Sequence, residues 1–137
     1  MKVLKMLLIG SSIFLASCGA SYNESEVRSP KDLAKVYENT LDLKTQTNDK
    51  LVGKKTIIEG VVDGVVNMTK NDKNYLEVCF GKDGGMFNDC TVVAKFDIND
   101  EKAKEIKEGD KIKIEATIEG HSGLLGKGLE LKDCKIL

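Results

Sequence analysis

Lys111-Ile112-Lys113-Ile114-Glu115-Ala116-Thr117-Ile118-Glu119 decides the fold class of this chain. Ile112, Ile114, Ala116 and Ile118 alternate with charged or hydroxyl residues, a period of two that belongs to an extended strand with one buried face. Downstream, after a glycine-rich turn, 129–137 reads as a last strand. Just upstream, Asn99 or Asp100 caps a short helix whose Ala103 and Ile106 form a narrow apolar face, and Gly109 ends it. Further back, 91–96 reads as a strand, 81–89 as a glycine-containing loop, and 75–80 as a half-buried strand. In that strand Leu76, Val78 and Phe80 alternate with Tyr75, Glu77 and Cys79. A polar turn at 70–74 separates it from Thr56-Ile57-Ile58-Glu59-Gly60-Val61-Val62, rich in β-branched residues, with Gly60 and Gly64 as places to bend.

Ser29-Pro30-Lys31-Asp32 opens the one longer helix. Ser29 caps, Pro30 has the backbone angle of a first turn, and Asp32 puts negative charge at the helix start. Leu33, Val36, Tyr37 and Leu41 follow at helical spacing, with an end expected near Lys44 and a polar linker over 45–49. The order of elements is then an amphipathic helix, three strands, a short helix and two strands. This order predicts a mostly β fold, a five-stranded OB-fold barrel with the short helix between strands three and four.

The chain also resembles the tRNA_anti-like family of small bacterial OB-fold lipoproteins. The resemblance rests on Asp49-Lys50-Leu51-Val52-Gly53-Lys54, Val92-Val93-Ala94-Lys95-Phe96, Gly109-Asp110-Lys111-Ile112 and Leu131-Lys132-Asp133-Cys134-Lys135-Ile136. It runs from about Tyr37 to Leu137 and implies the OB-fold, not RNA binding. Ala94 and Ile118 stand where relatives often carry cysteine, so the resemblance implies no disulfide there.

At the amino end, Lys2 and Lys5 precede an apolar run over 6–15, and Leu15-Ala16-Ser17-Cys18 looks like a lipobox. The run falls short of the roughly 20 apolar residues that a membrane-spanning helix needs. The expected organisation is a signal peptide over 1–17, a flexible tether over 18–28 and a helix-plus-barrel domain over 29–137. Cys18 is the expected site of lipid attachment, palmitate included, which makes the membrane a partner through the lipid. Gly19 after the lipid-bearing cysteine favours the outer membrane in a Gram-negative cell, and the cell membrane otherwise. The mature chain has 120 residues with 19 basic and 22 acidic side chains, a net charge of −3. That balance opposes binding to a polyphosphate backbone, so nucleic acid is not an expected partner.

Setting Cys18 aside leaves Cys79, Cys90 and Cys134, which allow one internal bridge and a leftover thiol. Cys79 with Cys90 is favoured because they flank one loop, although alternation puts Cys79 on the outer face and Cys90 on the inner. The other two pairings and free thiols remain open. Met86-Phe87 at the tip of that loop and His121 in the last connection are candidate partner contacts, and Tyr75 marks a candidate ligand face. Gly120-His121-Ser122-Gly123-Leu124 lacks the second glycine of a nucleophile elbow, and Gly126-Lys127-Gly128 lacks the hydroxyl residue of a phosphate loop. The spacing of Asp83, Asn88 and Asp89 does not fit the EF-hand pattern, so no metal, cofactor or catalytic set is expected. The expected function is a non-enzymatic envelope binding module for a protein partner or envelope component, interference with phage entry being one form of it. The alternative is a small-ligand or oligosaccharide binder on the outer barrel face.

Overall fold

The computed structural model describes residues 22–40, 50–70, 72–82, 90–122 and 127–137. They form a six-stranded sheet with one α-helix: β1 (Val27–Arg28), α1 (Pro30–Asn39), β2 (Lys55–Lys70), β3 (Lys73–Lys82), β4 (Cys90–Asp97), β5 (Lys111–Ser122) and β6 (Lys127–Ile136). Five strands close on themselves in the order β2-β3-β4-β6-β5, because β5 also pairs with β2. All neighbours in this ring are antiparallel except β4 and β6, which run parallel from Val92↔Leu129 to Ala94↔Leu131.

Strand β2 serves two neighbours in turn. Its first half pairs with β5 from Lys55↔Thr117 to Val61↔Lys111, and its second half with β3 from Val62↔Phe80 to Lys70↔Lys73. The register shifts between Val62 and Gly64, where an extra residue bends the strand from one partner to the other. It therefore runs on through 63–70, beyond the 56–62 that β-branched composition marked. Alternation then sorts the side chains. Ile58, Val62, Leu76, Val78, Phe80, Val92, Ala94, Phe96, Ile114, Ala116, Ile118, Leu129 and Leu131 are buried inside the ring.

Ser29 caps α1 as the sequence implies, its Oγ accepting from the Asp32 N–H at 3.1 Å. The helix stops earlier than the apolar spacing indicates. Thr40 turns its hydroxyl back onto the Val36 carbonyl at 2.9 Å and ends the regular backbone, and Leu41 and Lys44 lie outside the described residues. Leu33 and Tyr37 are buried against the ring. Gly60 makes this possible: a Cβ there would come within 2.8 Å of the Pro30 ring, so only glycine lets the start of the helix sit this close.

Between β4 and β5 the expected short helix is a single 3-10 turn, Ala103–Glu105. Asp100 caps it by accepting from the N–H groups of Lys102 and Ala103. Residues 22–28, expected within a flexible tether, are docked on the sheet. Val27 and Arg28 pair in parallel with Ile57 and Ile58, the Tyr22 hydroxyl lies 2.7 Å from Thr56 Oγ1, and the Glu24 carboxylate accepts from the Lys55 N–H at 2.9 Å. A polar composition reads as tether because it lacks apolar periodicity, yet these anchors are hydrogen bonds and leave no such period.

Candidate functional site

The outer face of β2, β3 and β4 collects the side chains with the most binding chemistry. Register places Met68 across from Tyr75, Val66 across from Glu77, and Glu77 across from Lys95. All point away from the core, because Leu76, Val78, Ala94 and Phe96 fill the inward positions between them. Val66 is 53% exposed and Met68 37% exposed, so two apolar side chains stand in solvent beside the half-buried Tyr75 ring. The Lys95 ammonium lies 5.8 Å from the centre of that ring.

Lys95 is held by two carboxylates. Its Nζ is 2.6 Å from Glu130 Oε1 on β6 and 2.8 Å from Glu119 Oε1 on β5. Partial burial pulls its pKa down, but the hydrogen bonds and charges of Glu119 and Glu130 outweigh this and leave it above the ordinary lysine value. Lys95 is thus charged and already paired twice, and the surrounding face carries an excess of carboxylates from Glu77, Glu119 and Glu130. The Tyr75 phenol is raised too, first by loss of hydration and then by the charge of Glu77, against the pull of Lys95.

Below this face lies a disulfide. Cys79 and Cys90 are bonded, with Cα atoms 5.6 Å apart, which fastens the two ends of the loop they flank. Gly81 stands between the outward Cys79 and the inward parity of Cys90, and its left-handed backbone (φ 72) turns the end of β3. That turn is held by the Asp63 carboxylate accepting from the Gly81 N–H at 2.6 Å and by the Thr91 hydroxyl donating to the Gly81 carbonyl at 2.9 Å. Among the described residues Cys134 is the free thiol. Burial pushes it up to about 12, a hydrogen bond from the Lys95 backbone working the other way, so it is protonated and a poor nucleophile at neutral pH.

The fold has a known counterpart. A crystal structure of a "putative nucleic acid-binding lipoprotein" from Klebsiella pneumoniae subsp. pneumoniae MGH 78578 is similar to this chain with a TM-score of 0.62. The two share 10% sequence identity over 82% of this chain and 91% of that one. No family model and no curated protein matches the sequence. At this identity the likeness is one of fold alone. No comparison bears out the resemblance to the tRNA_anti-like family.

Among the sequence-marked residues, Tyr75 falls on this face, and Cys79 and Cys90 fasten its lower edge. His121 belongs to the backbone of β5, paired with Leu129, and so lies in a strand where a connection was expected. Cys18, Met86 and Phe87 lie outside the described residues, as do Asp83, Asn88 and Asp89. No three metal-ligating side chains come together among the described residues, and no helix among them is long and apolar enough to cross a membrane. Sequence reasoning missed Lys95, Glu119 and Glu130. They sit on three strands with no local motif, and their only shared signal is outward parity.

Proposed function

We propose that this chain is a lipid-anchored envelope protein, acylated at Cys18, whose ring of strands is an OB-fold barrel acting as a non-enzymatic binding module. In the OB-fold reading β2 to β6 are the five barrel strands. The ring order, the parallel pair β4–β6 and the turn between β4 and β5 all support it. The partner is a protein or another envelope component, bound on the outer face around Tyr75. The observation that carries this reading is the platform of Tyr75, Met68 and Val66 beside a lysine whose charge is already spent on Glu119 and Glu130.

Such a surface offers apolar and aromatic contact framed by carboxylates. Phosphate groups are repelled, because the cation at its centre is paired twice over and the remaining charge is negative. A protein segment with basic or neutral polar residues suits it best. Cross-linking in intact envelopes followed by affinity recovery tests this: a partner recovered with the wild-type protein should fall roughly tenfold with Tyr75→Ala, the loss expected for an aromatic anchor at the centre of an interface. Equal recovery with both proteins would remove Tyr75 from the contact.

A second reading, an oligosaccharide ligand, draws on one feature of the same face. Carboxylates beside an aromatic ring accept hydrogen bonds from sugar hydroxyls while the ring covers a sugar C–H face. A glycan array probed with wild-type protein and Tyr75→Ala separates this reading from the first.

A further inference from the structure

We propose that the barrel docks by a basic face on β2, β5 and β6 onto the anionic phospholipid surface of the membrane that holds its anchor. This rests on the reading of Cys18 as the lipid-bearing residue. Three residues, 19–21, separate Cys18 from Tyr22. Even fully extended, the steps from Cys18 to Tyr22 reach about 14 Å. Tyr22 is itself fixed to the sheet: its hydroxyl bonds the fully buried Thr56, and Arg28 stacks 4.2 Å from its ring centre. The start of β2 is therefore held within a short, bounded distance of the acyl chains.

The surface at that place has the chemistry of a membrane contact. Lys55 lies across from Thr117, and Thr117 across from Lys132, all on the outer face. Lys50 and Lys54 lead into the same strand, Lys135 lies three residues further along β6 across from Glu115, and each of these lysines is exposed. Val52, between Lys50 and Lys54 in the sequence, is an apolar side chain that is 44% exposed. The nearby carboxylates include Glu24, which accepts from the Lys55 backbone, Glu115, Asp133 and Glu119, the last paired with Lys95.

Along β6 the charge changes sign between Glu130, which belongs to the Tyr75 face, and Lys132. One flank of the ring is thus acidic and the adjoining flank basic, and Tyr22 is tied to the strand that carries Lys55, at the start of the basic one. Each lysine near an anionic surface adds roughly a fivefold preference for it, and the acyl chains supply the second signal that stable attachment needs. Docked this way, the barrel has a fixed roll on the membrane, with the Tyr75 face at the flank and open to a partner.

The test uses the mature lipid-bearing protein in vesicles of phosphatidylcholine, with and without phosphatidylglycerol, and an amine-reactive footprint read by mass spectrometry. Lys54, Lys55 and Lys132 should label roughly fivefold more slowly on the anionic vesicles. Lys73, at the far hairpin, and Lys102, beside the 3-10 turn, should label equally on both. High salt should cancel the difference. In the triple variant Lys54→Gln/Lys55→Gln/Lys132→Gln, the slowing at Lys50 and Lys135 should shrink while the protein stays with the vesicles. Equal labelling of Lys54, Lys55 and Lys132 on both vesicles, in protein whose intact mass shows the acyl chains, would overturn the docking and leave the anchor standing. A mass without them would overturn both.

Discussion

Replacing Tyr22 with phenylalanine deletes one oxygen from a contact that joins the amino-terminal segment to the ring. The Tyr22 hydroxyl is 2.7 Å from Thr56 Oγ1, and Thr56 has none of its surface exposed. A buried hydroxyl that loses its partner costs about 1–3 kcal/mol. Arg28 still stacks on the ring after the change, which puts the expected loss for Tyr22→Phe at about 1–2 kcal/mol. Thr56→Val removes the other end. Tyr22 is only half-buried and turns to water, so that variant loses about 1 kcal/mol or less. With both changes no buried hydroxyl is stranded, and the double variant should be more stable than the sum of the singles implies, with a coupling of about 1 kcal/mol. Urea denaturation followed by circular dichroism measures all four proteins, and each 1 kcal/mol corresponds to about 3–5 °C in Tm for a chain of this size. Additive single effects, or a Tyr22→Phe protein within about 0.3 kcal/mol of wild type, would refute the docking of residues 22–28 through this bond.

Gly60→Ala should destabilise by about 1–3 kcal/mol, because the new methyl meets the stiff Pro30 ring at 2.8 Å and must push back the start of α1; an unchanged Tm would show that the helix start gives way freely. For Cys134, the raised pKa gives a stability that is complete below about pH 8.5, where the thiol is neutral folded or unfolded, and is lost as pH rises toward 12 because the unfolded thiol ionises first. The difference in urea midpoint between wild type and Cys134→Ala, followed from pH 8 to 11, should therefore drift against the wild type, and a flat difference would contradict the buried thiol.

Alternation made most of the ring legible. Ile112, Ile114, Ala116 and Ile118 announce β5, and Leu76, Val78 and Phe80 announce β3, because a pleated strand with one dry face permits little else. The second half of β2 was less visible. Asp63 and Gly64 interrupt its pattern where the strand changes partner, and Val66 and Met68 are apolar side chains on the wet face. Gly60 read as a bend, yet its structural use is to make room for Pro30, a residue on another element that no local pattern connects to it. The Cys79–Cys90 pair was legible from loop spacing, but the parity conflict needed the positive φ of Gly81 to resolve. Of the candidate face, Tyr75 and Glu77 were readable by parity. The clamp on Lys95 was not, since Glu119 and Glu130 reach it only once β4, β5 and β6 lie side by side.

The seam between β2 and β5 has a kinetic consequence. It joins residues 55–61 to 111–117, and the parallel pair β4–β6 likewise has no hairpin to bring its strands together. Two contacts of large sequence separation must form before the interior is sealed, and chains dominated by such contacts fold in milliseconds to seconds. The export signal proposed at residues 1–17 would send the chain across a membrane, and the general secretory route takes its clients unfolded. The ring closure that buries Phe80 and Ile118 rests on these distant pairings, and its slowness gives the exported chain proposed above time to travel unfolded.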